Sequence, residues 1–189
     1  MIEILPILVP LFFIILLLFI PPKSKLGPYI ALGGTFILLV ISILIFLKVE
    51  TEGILVLQSG SWPAPFGISI VIDYFSAFML IMSGIIGITV GIYTLAQLDR
   101  QRLYNRFFVF YMGVLMGVNG AFTTGDIFNL YVWFEVMLLS SFALISMGNE
   151  KAQLKGAIKY VTMNLVGSMF FLAGIGLLYS MKGTLKLSH

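Results

Sequence analysis

Six apolar stretches, at about residues 3–21, 27–47, 72–97, 106–124, 127–147 and 157–180, dominate this chain. A helix needs roughly 20 apolar residues, at about 1.5 Å each, to cross a hydrocarbon core of about 30 Å. The composition agrees with that use. Of the 189 residues, 60% are hydrophobic and only 10% charged, where a soluble domain carries roughly one quarter charged residues. The mean hydropathy is +1.08. The pattern predicts an all-α polytopic membrane protein with six transmembrane helices, a single membrane domain over residues 1–189, and the lipid bilayer as its first partner. The third stretch is long enough to require a tilt or an extension beyond the hydrocarbon.

The first stretch invites comparison with a signal peptide. Glu3 rather than a basic segment precedes it, however, and Pro21, Pro22 and Lys23 follow it in place of a small-residue cleavage site. Prolines there end a helix, so a mature transmembrane helix is expected. The sequence has no cysteine, and its one histidine is the final residue, His189. No cofactor and no metal site are therefore expected, because thiolate and imidazole ligands are missing. The net charge of +3 does not indicate a nucleic-acid partner, since the basic residues lie in short clusters between apolar runs. There is no nucleophilic triad or phosphate loop, and the chain is not expected to be an enzyme.

Basic residues set orientation in a membrane. Lys23 and Lys25, then Arg100, Arg102 and Arg106, then Lys151, Lys155 and Lys159 fall in alternate connections. The other side holds Lys48, Lys182 and Lys186, together with Glu3, Glu50, Glu52, Asp73 and Asp126. This bias predicts an N-terminus outside and odd-numbered loops in the cytoplasm of a cell whose plasma membrane holds the chain.

Between the second and third stretches the character changes. Residues 53–58 and 66–72 are short and β-prone, and they flank the breaker-rich Ser59–Pro65. This spacing predicts a small β-hairpin on the outer surface, with Trp62 at interfacial depth. Gly87 and Gly91, and again Gly113 and Gly117, lie four apart, a spacing that lets helix backbones approach. Only Thr124, Gly125 and Asp126 separate the fourth and fifth stretches, so these form a tight antiparallel pair. Asp126 stands where an N-cap would, and Asp73 where the positive end of a helix dipole favours an acid.

Glu135 is the residue the bilayer penalises most. Leu130–Phe134 precede it and Val136–Leu139 follow it, and it lies nine residues past Asp126, about 13 Å along a helix. An ionisable group at that depth costs about 2.5–3.5 kcal/mol or more and marks a functional site by default. A carboxyl in apolar surroundings holds its proton more tightly, and a nearby cation loosens it. An acid balanced between the two takes up and releases protons near neutral pH, as a proton relay requires. The alternative is a permanently protonated acid that bonds a neighbouring helix. Asn119 and Asn164 stand as pathway residues or as interhelical hydrogen-bonding groups. Lys159 is either a snorkelling anchor or the entrance to a half-channel. Ser140 and Ser141, without a histidine, are expected to be packing hydroxyls.

At certain residues the chain stops looking generic. These are Gly60–Pro65 (Gly-Ser-Trp-Pro-Ala-Pro), Val71–Ala77, Gly120–Leu130 (Gly-Ala-Phe-Thr-Thr-Gly-Asp-Ile-Phe-Asn-Leu) and Phe134-Glu135-Val136. Gln153-Leu154, Ile158–Val161, Asn164, Leu178–Ser180 and Gly183–Leu185 continue the series. Together they resemble the D-type chain of multisubunit Na+/H+ antiporters of the Mrp type. That family extends to the antiporter-like subunits of respiratory complex I and of membrane-bound hydrogenases. The resemblance implies transport of H+ against Na+ with other antiporter-complex subunits as partners, and it makes Glu135 the essential proton-translocating group. It also implies a partner lysine on the helix after next. Lys186 departs from the asparagine usual after Gly-Thr-Leu, and the sequence corresponds to the N-terminal portion of such a protein. The chain alone is therefore expected not to exchange Na+ for H+. Two other readings remain: a proton-pumping membrane subunit of a complex I-like or hydrogenase-type oxidoreductase, and a non-transporting structural stub.

Overall fold

The computed structural model describes residues 2–21, 24–58, 68–97, 106–148 and 150–185. Trp62 and the rest of Ser59–Pro65, as well as Pro22, Lys23, Arg100, Arg102, Lys186 and His189, lie outside the described residues. A short 3-10 turn, Ile2–Ile4, leads into α1 (Leu5–Phe19). There follow α2 (Leu26–Glu52), β1 (Leu55–Gln58), β2 (Ser69–Ile72), α3 (Tyr74–Gln97), α4 (Phe107–Thr123), α5 (Ile127–Ser146) and α6 (Lys151–Lys182). Five of these helices are long and apolar enough to cross a membrane, counting Ile2–Phe19 as the first, and α4 is a shorter apolar helix of 17 residues. At about 1.5 Å per residue α4 covers about 26 Å, close to the thickness of the hydrocarbon.

The expected boundaries need three corrections, each with one cause. Hydropathy registers where a chain is apolar, and a helix ends where its backbone hydrogen bonds end. Ile72 belongs to β2 rather than to the third helix, which starts at Tyr74. There the Asp73 carboxylate accepts the Ser76 N–H at 2.7 Å, and that bond holds the Asp73 carboxyl below its usual range. α2 runs on to Glu52 rather than stopping at residue 47, carried by the Lys48–Glu52 pair one turn apart. α6 begins at Lys151 instead of residue 157, because Lys151, Gln153, Leu154 and Lys155 are good helix formers whatever their polarity.

β1 and β2 form the expected antiparallel hairpin, with Leu55 opposite Ile72 and Gln58 opposite Ser69. β2 is fastened on its other edge too. Ile70 bridges to Thr124, and Gly125 N–H donates to Ser69 O at 2.9 Å. The hairpin thus closes over the turn between α4 and α5. Beneath it Ile7, Ile45, Val49, Leu55, Ile70, Ile72, Ala77 and Leu80 form one buried cluster. Towards the other end of the bundle, Leu17, Ala31, Leu38, Phe108, Tyr111, Met112 and Leu115 form a second.

α1 packs between α2 and α4, α3 lies against α2 and α4, and α5 follows on α4. α6 packs chiefly on α5. In a bilayer such contacts depend on close packing and hydrogen bonds, because lipid tails are as apolar as leucine. Glycines of α3 and α4 serve this purpose. A Cβ added to Gly84 would come within 3.0 Å of Leu39 Cα, and one at Gly117 within 3.0 Å of Met137 N. Charges join the hairpin end as well: Lys48 Nζ donates to the buried Glu3 at 2.9 Å. That pair links the 3-10 turn before α1 to α2 across 45 positions of sequence.

Candidate functional site

α5 begins with a capping motif built from Thr124, Asp126 and Asn129. Asp126 has extended backbone and accepts the Asn129 N–H at 2.9 Å, as its type and position predicted. The Asn129 amide donates to Thr124 Oγ1 at 2.8 Å, so the turn is held from both sides. Ile127 N–H donates to Leu185 O at 3.0 Å, which brings the segment after α6 back to the start of α5.

From this fixed origin the register of α5 follows. Trp133, Met137 and Ser140 face α4, where Gly120, Gly117 and Gly113 leave room for them. Tyr131, Phe134, Leu138 and Ser141 face α6, with Phe171 against both Tyr131 and Phe134. Phe128, Val132 and Leu139 are exposed. At 100° per residue, Glu135 falls on the flank between the α6 face and this exposed stripe, near the middle of the helix. Its side chain is half-buried. Its Oε1 is buried and has no hydrogen-bond partner among the described residues. Tyr131, one turn earlier, is its electrostatic neighbour, and no ion pair among the described residues includes Glu135.

The cleft between α5 and α6 has a volume of about 300 Å³. Tyr131, Ser141, Tyr160, Asn164 and Ser168 give it five hydroxyl or amide side chains. Asn164 Nδ2 donates to Tyr160 O in its own helix at 2.8 Å, and its carbonyl oxygen is left for the cleft. Two antiparallel helices with Phe171 beside Tyr131 set Asn164 about 10 Å towards the start of α6, level with Leu138 and Ser141. Lys159 is exposed, one position before Tyr160.

Asn119 does not join this group. It is fully buried in α4, where Nδ2 donates to Pro6 O of α1 at 3.3 Å. The reason lies in Pro10, which sits inside α1. Proline has no N–H, so the carbonyl four residues earlier loses its helical partner. That carbonyl is Pro6 O, and Asn119 supplies the missing donor from another helix. Replacing Asn119 by Ala should cost about 1–2 kcal/mol, the scale of a buried hydrogen bond with its acceptor left stranded. In a Pro10→Ala background the helix satisfies Pro6 itself, and the cost should shrink by about 1 kcal/mol in a double-mutant cycle. Thermal melts of the four variants in detergent measure this, and equal costs in both backgrounds would refute the assignment.

Sequence reasoning overlooked Tyr131, Trp133 and Arg106. Tyr131 was detectable as the residue one helical turn before Glu135. Arg106 counted only as an orientation signal, yet its guanidinium donates to Leu18 O at 3.0 Å and Leu17 O at 3.4 Å. It thereby caps the last carbonyls of α1. Trp133 stood in plain view as an apolar neighbour of Glu135, but nothing local marks its ring as one that reaches across Gly120.

Helices long and apolar enough to cross a membrane, a small hairpin over one end of the bundle and an acid near the middle of α5 define a polytopic membrane protein. The family described as NADH:quinone oxidoreductase/Mrp antiporter, TM, matches residues 124–189, the part that contains Glu135 and the cleft. The chain is 39% identical to the D-type component of the Na(+)/H(+) antiporter of Bacillus subtilis (strain 168) over 185 residues, covering 98% of this chain and 38% of that protein. Among solved structures it matches a chain of the Mrp complex from Dietzia sp. DQ12-45-1b, with a TM-score of 0.88 and 26% identity over 98% of this chain and 35% of that one. A chain of the membrane-bound sulfane sulfur reductase, an archaeal respiratory membrane complex, matches with a TM-score of 0.88 and 25% identity, covering 97% of this chain and 38% of that one. The chain is thus similar to the NADH:quinone oxidoreductase/Mrp antiporter family over residues 124–189, and to curated Na(+)/H(+) antiporter D components along nearly its whole length. It spans less than two-fifths of the length of the curated relatives it matches.

Proposed function

We propose that the chain works as a D-type component of a multisubunit Na+/H+ antiporter in the plasma membrane, with other antiporter subunits as partners and H+ and Na+ as the transported ions. Glu135 is the proton carrier in this reading. The observation that carries it is a carboxylate half-buried at mid-helix, with one oxygen buried and unpartnered among the described residues. An ionisable side chain at that depth is the type of group a proton path uses. No cation pairs with it among the described residues, so in this reading the chain alone does not complete an exchange cycle. The polar cleft of α5 and α6 offers protons a route towards Tyr131, whose hydroxyl both donates and accepts. Lys159 then acts as a snorkelling anchor at the start of α6.

The test is a chimera in which these residues replace their counterpart in the Bacillus subtilis protein, within the complete antiporter complex. Na+-dependent proton flux in inverted vesicles is the expected result. An assembled complex without flux would reject the reading. A second reading, a proton-pumping membrane subunit of a respiratory oxidoreductase, draws on the equal fold similarity to the sulfane sulfur reductase chain. Affinity purification from the native membrane separates the two, since flavin or iron–sulfur absorbance in the purified complex supports only the second.

A further inference from the structure

Two buried polar atoms of opposite character lie on the side of α5 turned away from Glu135. Asn119 is fully buried, and its Oδ1, an acceptor, finds no hydrogen-bond partner among the described residues. Trp133 Nε1, a donor, is likewise buried and unpartnered among them. The two belong to one neighbourhood. Trp133 lies against Gly120, the residue after Asn119, where a Cβ at Gly120 would collide with its ring. The Trp133 side chain also packs against the cluster that contains Ile7, and Ile7 adjoins the Pro6 whose carbonyl Asn119 holds. Ser83 provides a third such group. It is nine-tenths buried and its hydroxyl has no partner among the described residues. It lines a cleft together with Val118, the residue before Asn119.

We propose that the packing of α1, α4 and α5 contains a bound-water site, in which water accepts from Trp133 Nε1 and donates to Asn119 Oδ1. Buried polar groups are almost always satisfied, and water bridging a donor and an acceptor that do not meet directly is the usual solution in a polar pocket. The Asn119 amide is pinned by its bond to Pro6, so its oxygen has a fixed direction. The Trp133 ring is pinned against Gly120. A water molecule, with lone pairs to accept and O–H groups to donate, serves such a donor and such an acceptor at once. The site lies at nearly the same depth as Glu135 but on the opposite side of α5, so it is separate from the proton carrier.

The test uses the full 189-residue chain with Trp62→Phe, which leaves Trp133 as the only indole. With ¹⁵N-tryptophan in detergent micelles, the indole N–H should show a downfield resonance and a nuclear Overhauser cross-peak at the water frequency with the sign of long-lived water. Asn119→Leu should shift the resonance upfield and abolish that cross-peak. If Asn119→Leu does not fold, Pro10→Ala combined with Asn119→Leu restores the partner of Pro6 and permits the same measurement. A parent chain without the water cross-peak overturns the proposal, and so does a cross-peak that persists unchanged after Asn119 is replaced.

Discussion

Replacing Glu135 by Gln is expected to abolish Na+-dependent proton flux in the assembled complex, by at least about 10²-fold, the scale over which a positioned proton-transfer group acts. Gln has the size and hydrogen-bonding capacity of a protonated Glu, so packing on the α5 flank should not change. What disappears is the capacity to exchange a proton. Glu135→Asp keeps the carboxyl but withdraws it by one methylene, and should give a rate between the two. Dye-reported pH gradients in inverted vesicles measure the flux, and a native gel reports assembly. Full flux with Glu135→Gln would reduce this acid to a structural group that bonds a neighbouring helix. Loss of assembly together with flux would also count against a relay, because the isostere should be structurally silent.

The second large effect is expected at Gly117. A Cβ there would lie 3.0 Å from Met137 N and 3.1 Å from Trp133 O. Both are backbone atoms of α5, and backbone cannot swing aside as a side chain does. Gly117→Leu should therefore push α4 and α5 apart and destabilise the chain by about 3 kcal/mol, the upper range for overpacking. Gly113 provides a graded comparison, since a Cβ there meets the Ser140 hydroxyl at 2.5 Å, a group that can rotate away. At Gly174 nothing lies within 4 Å of an added Cβ, so Gly174→Leu should leave the isolated chain unchanged. Unfolding curves of the three variants in mixed micelles provide the measurement. Similar losses at Gly117 and Gly174 would mean that helix propensity rather than interhelical contact decides the outcome.

The long-range architecture was readable because the bilayer imposes a coarse rule, so apolar length alone located the helices and the β-prone flanks of Ser59–Pro65 located the hairpin. Asp126 and the four-residue glycine spacing were readable as well, since capping and close packing are local matters of residue type. Partnerships between distant segments were not. Asn119 looked like a candidate for an ion path because a polar residue in an apolar run carries no label for its partner. Its actual partner exists only because Pro10, more than a hundred positions away, strands a carbonyl. Glu3 and Lys48 likewise entered as separate charges on one side of the membrane, and only the fold pairs them. Glu135 was identifiable by depth, whereas its place on the flank of α5 beside Tyr131 depended on the face α6 occupies.

The bonds from α4 to α1 also govern how the protein is made. Arg106 and Asn119 reach residues of α1 that are translated about a hundred positions earlier. At roughly 5–20 residues per second, α1 waits for several seconds or more in or near the membrane before α4 emerges. Through that interval the Pro6 carbonyl and the last carbonyls of α1 have none of their final donors. The last hydrogen bonds of the first helix therefore close only when the fourth arrives, so α1 reaches its final state late although it is made first.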